Sequence, residues 1–258
     1  MSRVLIVACN TFRETVRDRV LYNLVFFALL MIAAAVIVGQ ISMDIETVVM
    51  ISLGLSAISL IGLLIAVFTG VGLVSKEIDK RTLHAVLARP LPRWEFLLGK
   101  FAGLVLTLAV NAAAMAAGLF VALLVVKHSL VRGDSVVLAA VYFILLKLVL
   151  VVALAMLFSC FTSPLLAILF TGGIYVAGLF VSELRSLQVT NLTPQMQKFF
   201  AVISYILPNF GNYDMMGAAA HGRGIAGRLV LYTTLYTLLY CAIVLGAASA
   251  IFSRKDLK

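Results

Sequence analysis

Long apolar runs dominate the chain, and short polar segments separate them. A helix needs about 20 residues to cross ~30 Å of hydrocarbon. That length picks out six candidate spans, at 21–39, 47–74, 101–126, 136–160, 165–184 and 229–252. The second and third exceed the minimum, so they have length to tilt or to project past the bilayer. Residues 1–20 carry a different pattern. Leu5, Ala8, Cys9, Phe12, Val16 and Val20 recur at helical spacing, with Asn10, Arg13, Glu14 and Arg17 elsewhere around the wheel. This predicts an amphipathic helix lying in the membrane interface, its arginines among lipid phosphates. A last apolar run at 199–207 stops at Pro208 and is too short to span. It predicts a re-entrant or interfacial segment at 199–208 inside a long loop, 185–228.

Composition fixes the class. The chain has 258 residues, 63% hydrophobic and 12% charged, whereas soluble domains are about 45–50% apolar and about 25% charged. An all-α membrane protein is expected, with residues 1–258 forming one transmembrane domain. The net charge of +9 does not point to nucleic acid, because the basic residues flank spans instead of forming a stripe on a soluble domain. Of the twenty Lys and Arg, thirteen fall on the N-terminal arm, the 75–100 segment and the C-terminal tail. Six fall on the opposite side, where the first loop around Asp44 and Glu46 is acidic, and Lys147 lies inside the fourth span. The asymmetry places both termini in the cytoplasm. Cys9, Cys160 and Cys241 are far apart, without C-x-x-C, and read as structural cysteines. The N-terminus is polar up to Arg19 and the apolar run after it is long enough to span, unlike a cleavable signal.

Between the second and third spans, residues 75–100 form a charged segment punctuated by Pro90 and Pro92. Ser75 suits a helix N-cap and Glu77 the first turn, where the helix dipole favours an acid. Leu83, Val86 and Leu87 share one face, Arg89 sits in the last turn, and Pro90 stops the helix. Pro92 suits the first position of the next helix. Trp94 and Phe96 suit an interfacial anchor, and Gly99 and Gly103 open the third span with G-x-x-x-G. Two readings stand: an amphipathic loop resting on the membrane, or a rigid element that transmits a push between two spans.

The chain has no G-x-x-x-x-G-K-[ST] cradle, its three histidines are scattered, and no span holds a pair of carboxylates. Polar residues at membrane depth are therefore informative. Lys147 near the middle of the fourth span costs roughly 2.5–3.5 kcal/mol to insert, so it should be paired, hydrated or snorkelling. It reads either as part of an interhelical pair or as a residue of a translocation path. Thr107 and Asn111 belong to a small-and-polar stripe with Gly103, Ala114 and Gly118. That stripe suits close helix packing or a substrate route, and Gly62, Ala66 and Gly70 make a comparable packing face on the second span.

The pattern E-x-x-x-x-T-L-x-x-x-L-x-R-P-x-x-R-W-E-F-L-L-G-K, Glu77 to Lys100, resembles the cytoplasmic loop of ABC-2-type transporter permeases. Thr11 to Arg19 is similar to the family's amphipathic arm. Tyr205 to Phe210 stands where the family has an outer re-entrant segment, and R-K-D-L at 254–257 also fits. The resemblance covers essentially the whole chain, and the subgroup looks like the permeases that include those of nitrous-oxide-reductase maturation. Lys80-Arg81 departs from it, standing where many relatives have a glycine before the Thr-Leu pair. The resemblance implies a six-helix permease subunit of an exporter in the cytoplasmic (inner) membrane of a prokaryote. It implies two permease copies, identical or related, and two copies of a separate ABC ATPase that binds ATP and Mg, with no cofactor on this chain. By this analogy 75–100 is a coupling helix, with Glu77, Arg81, Leu83, Leu87, Arg89 and Arg93 toward the ATPase. The arm, with Phe12, Arg13 and Arg17, either only anchors to lipid or also touches a cytoplasmic partner. Alternatives are an ATP-independent carrier, an assembly factor, or an intramembrane enzyme. Lipid, drug, polysaccharide precursor, ion and sulfur compound all remain open as cargo.

Overall fold

A bilayer offers no water to exposed peptide groups, so so apolar a chain must satisfy its backbone within helices. The computed structural model describes residues 3–17, 19–41, 45–79, 92–127, 135–181, 195, 202 and 206–254, and every regular element among them is helical. In order these are α1 (Arg3–Val16), α2 (Arg19–Ile41), α3 (Glu46–Asp79), α4 (Arg93–Lys127), α5 (Ser135–Ser159) and α6 (Pro164–Leu179). A 3-10 turn (Phe210–Tyr213), α7 (Met216–Ala220) and α8 (Gly227–Arg254) follow. Among the described residues, α3, α4, α5 and α8 are long and apolar enough to cross a membrane. Shorter apolar stretches run over Ala28–Gly39 in α2 and Pro164–Leu179 in α6.

Helix α5 is apolar all round, the pattern of a helix surrounded on every side. It packs against α3, α4, α6, α7 and α8. The α3–α5 seam is close because α3 presents small residues there. A Cβ placed on Gly62 would lie 2.5 Å from Leu148 Cδ1, and one on Gly70 would lie 2.9 Å from Ala155 Cβ. Ala66, between them, is fully buried. Ser159 Oγ closes the seam's lower end by donating to the Val71 carbonyl at 3.1 Å. Elsewhere Gly54 of α3 faces Leu119 of α4, and Gly118 of α4 faces Leu29 of α2.

Helix α1 docks on the start of α4, where the G-x-x-x-G pair removes the side chains that would hold it off. Gly99 meets Val7 and the Val4 carbonyl, and Gly103 meets Thr11 and the Ala8 carbonyl. The fully buried face coincides with its apolar wheel only at Ala8. Ala8, Thr11 and Thr15 are buried, while Leu5 and Cys9 are exposed. Small side chains allow backbones to approach, whereas large apolar ones are already at ease in lipid. The Thr15 hydroxyl can be buried because it donates to the Thr11 carbonyl at 2.9 Å.

The 75–100 segment begins differently from its sequence reading. Ser75 does not cap a new helix, because α3 runs without a break to Asp79. Gly70 and Gly72 do not stop it, and Thr69 Oγ1 bonds back to the Ile65 carbonyl at 2.6 Å. Residues 80–91 lie outside the described residues. Pro92 immediately precedes α4, its carbonyl accepting from the Glu95 and Phe96 amides at 3.0 and 3.4 Å. Of the long 185–228 loop, most of 185–205 also lies outside the described residues, including most of the 199–208 run.

Candidate functional site

The charged residue at mid-span sits in a built environment. Lys147 of α5 is 5% exposed, and its Nζ donates to Ser59 Oγ of α3 at 2.7 Å. The same Nζ lies 5.8 Å from the ring centroid of Tyr175 on α6, within cation–π reach. Lys147 of α5, Ser59 of α3 and Tyr175 of α6 thus bring three helices together at one polar point. Among the described residues no carboxylate forms an ion pair with Lys147; the acidic group whose field reaches it, and reaches Tyr175, is Asp214. Asp214 is exposed, just after the 3-10 turn, and its Oδ1 accepts from the Met216 amide at 3.1 Å. One turn from Ser59 on α3, exposed Ser56 reaches Met216 Sδ at 3.5 Å. Asp214 and Ser56 are exposed, whereas Ser59 and Lys147 are buried.

Residues 206–220 are fastened onto the bundle. Tyr240 of α8 donates to the Ile206 carbonyl at 2.8 Å, and the Asn209 amide donates to Tyr236 at 3.3 Å. Tyr213 and Thr237 share a buried hydrogen bond of 2.7 Å. Thr237 spends its only proton on the Thr233 carbonyl, at 2.8 Å, so Tyr213 is the donor. Burial raises the Tyr213 phenol above its ordinary range. Phe210 stacks 5.1 Å from Tyr175. Gly178 of α6 makes this fit possible, since a Cβ there would stand 2.5 Å from both the Pro208 carbonyl oxygen and Phe210.

The other residues singled out in the sequence are dispersed. Thr107 is buried on α4, its hydroxyl donating to the Gly103 carbonyl at 2.9 Å. Asn111 is 7% exposed, and its Nδ2 has no hydrogen-bond partner among the described residues. On α1, Phe12 is half-buried while Arg13 and Arg17 are exposed. Glu77 falls in the last turn of α3 and Arg93 opens α4, whereas Arg81, Leu83, Leu87 and Arg89 lie outside the described residues. Near the start of α4, Lys100 is buried with Nζ 5.3 Å from the Phe96 ring, and Trp94 is exposed. Sequence reasoning found Lys147 but not Ser59, Tyr175 or Asp214. The available signal was Ser52, Ser56 and Ser59, four and three apart on one face of a largely apolar helix.

A family model described as "ABC-2 family transporter protein" matches residues 5–257. The chain belongs to the ABC-2 transporter family. No curated protein matches it. ABC-2 membership makes the chain a transport permease, the membrane component of a transporter, and accounts for its several apolar helices. Permeases of this family normally work with an ABC ATPase partner.

Proposed function

We propose that this chain is the permease subunit of an ATP-binding-cassette exporter, driven by a separate ATPase through residues 75–100. Helices α2, α3, α4, α5, α6 and α8 cross the cytoplasmic membrane of a prokaryote, with both termini inside and α1 in the inner interface. Two permease copies sit on two ATPase subunits, which bind ATP and Mg. Glu77, Arg81, Leu83, Leu87, Arg89 and Arg93 face the ATPase, and the arm with Phe12, Arg13 and Arg17 anchors alongside.

The observation that carries this reading is the ABC-2 match over nearly the whole chain, in a sequence without a phosphate cradle of its own. The geometry adds a mechanical argument. Helix α3 is continuous from Ser59 to Asp79, and at a rise of 1.5 Å per residue those positions stand about 30 Å apart. A rod of that length, close-packed on α5 at Gly62 and Gly70, carries a displacement at its cytoplasmic end to the level of Lys147. Closure of an ATPase dimer against 75–100 thereby rocks α3 and α4 together, a rigid-body mechanism of alternating access.

Co-expression with a candidate ABC ATPase subunit tests the proposal. An ATPase should co-purify in mild detergent, and removing residues 76–90 should abolish the permease's effect on ATP hydrolysis in proteoliposomes. Failure of any ATPase to bind, together with hydrolysis indifferent to the deletion, refutes it.

A further inference from the structure

Lys147 is an ammonium without a counter-charge in contact. It has three donors, of which Ser59 Oγ takes one and the Tyr175 ring face offers a second, weaker partner. At mid-membrane depth an uncompensated charge is expensive, and burial raises the value of any anion brought to it. Asp214 acts only through its field, because among the described residues no hydrogen bond or ion pair joins it to Lys147. Asp214 and Ser56 are exposed, and Ser56 is one turn from Ser59 on the same helix, so this is the side from which an anion would reach the ammonium. A ring, a hydroxyl and an ammonium converging from three helices form a pocket chemistry suited to one compact anionic group.

We propose that Lys147, Ser59 and Tyr175 form an anion-binding site that takes the phosphate, sulfate or carboxylate group of the transported molecule. The word "transported" rests on the permease reading; the binding itself does not. The anion accepts from Nζ, the Ser59 hydroxyl turns to donate to it, and Tyr175 walls off the α6 side. Asp214 repels the anion from the mouth and so helps release it, which favours weak and reversible capture. A transporter needs that kind of capture.

The full-length protein in detergent, monitored by thermal unfolding, tests this with three probes: inorganic phosphate, dihexanoyl phosphatidate and the neutral dihexanoylglycerol. Either anion, at about ten times its Kd, should raise the Tm of the wild type by about 4 °C, and the neutral lipid should not. Lys147→Met should abolish the rise while still folding, because replacing a buried unpaired charge with an apolar side chain of similar length is often neutral or stabilising. Asp214→Asn, which keeps an oxygen for the Met216 amide, should lower the concentration of anion needed. Phosphate acting alone identifies a free anion, phosphatidate acting alone a lipid headgroup, and both acting show that the group itself suffices. Should Lys147→Met fail to fold, Ser59→Ala provides the comparison, with a smaller rise than wild type. Equal rises in wild type and variant, an equal effect of the neutral lipid, or no response to either anion overturns the proposal. A chain that captures an ATPase yet ignores both anions sinks this inference alone. One that binds anions yet captures no ATPase sinks the permease reading alone.

Discussion

Gly70 and Gly72 lie two residues apart in α3, and replacing each with alanine separates helix propensity from packing. Alanine gains about 1 kcal/mol over glycine in a helix interior, the same at both positions. At Gly72 a Cβ meets nothing within 4 Å. At Gly70 it lands 2.9 Å from Ala155 Cβ, with Val152 Cα and its carbonyl oxygen at 3.8 Å. Ala155 has no rotamer to swing away, so α5 itself must retreat by about half an ångström to restore ordinary contact. Overpacking of this kind costs about 1–3 kcal/mol. Gly72→Ala should therefore raise stability by about 1 kcal/mol, while Gly70→Ala should leave it unchanged or lower it by up to about 2 kcal/mol. For a chain of this size the difference is about 2–12 °C in Tm, read by thermal unfolding in one detergent. Equal shifts in the two variants would show that α3 and α5 do not meet along this seam, and the lever drawn through it would fail.

Gly103→Ala should lift α1 from α4, because the new Cβ stands 2.7 Å from the Ala8 carbonyl oxygen and from Thr11 Cβ. Trypsin should then cut at Arg13 and Arg17 about tenfold faster, and unchanged cleavage contradicts the docking. Thr237→Val should destabilise more than Tyr213→Phe, about 1–3 against about 1 kcal/mol, since only the former buries a donor without an acceptor. A reversed order in thermal unfolding overturns the donor assignment. Maleimide should add once to the folded protein, at exposed Cys9, and three times after denaturation, when Cys160 and Cys241 lose their burial. Mass spectrometry counts the adducts, and rapid modification of all three in the folded state refutes the packing.

The long apolar helices were legible because a membrane demands runs of a set length, and α3, α4, α5 and α8 carry them. Lys147 was legible for the same reason, as a charge where charges are costly. The packed face of α1 was not. In water the large apolar side chains mark the buried side, but here Leu5 is exposed, Val7, Ala8 and Thr11 meet Gly99 and Gly103, and Thr15 is buried. The continuity of α3 past Ser75 was also hidden. Ser, Lys and Glu after a glycine pair look like a fresh start, yet a helix already packed on α5 through Gly70 continues past them. Tyr175 and Asp214 escaped notice because their meaning depends on α6 and residues 206–220 closing around α5, which no local pattern encodes.

Cysteine cross-linking at Leu83 addresses the central claim most directly. With Leu83→Cys in native membranes and the ATPase co-expressed, a short bifunctional reagent should join the permease to the ATPase subunit, in a yield that changes when the nucleotide state is trapped. Labelling of that cysteine by a lipid-phase probe alone, while ATP turnover proceeds, would contradict a permease pushed through residues 75–100.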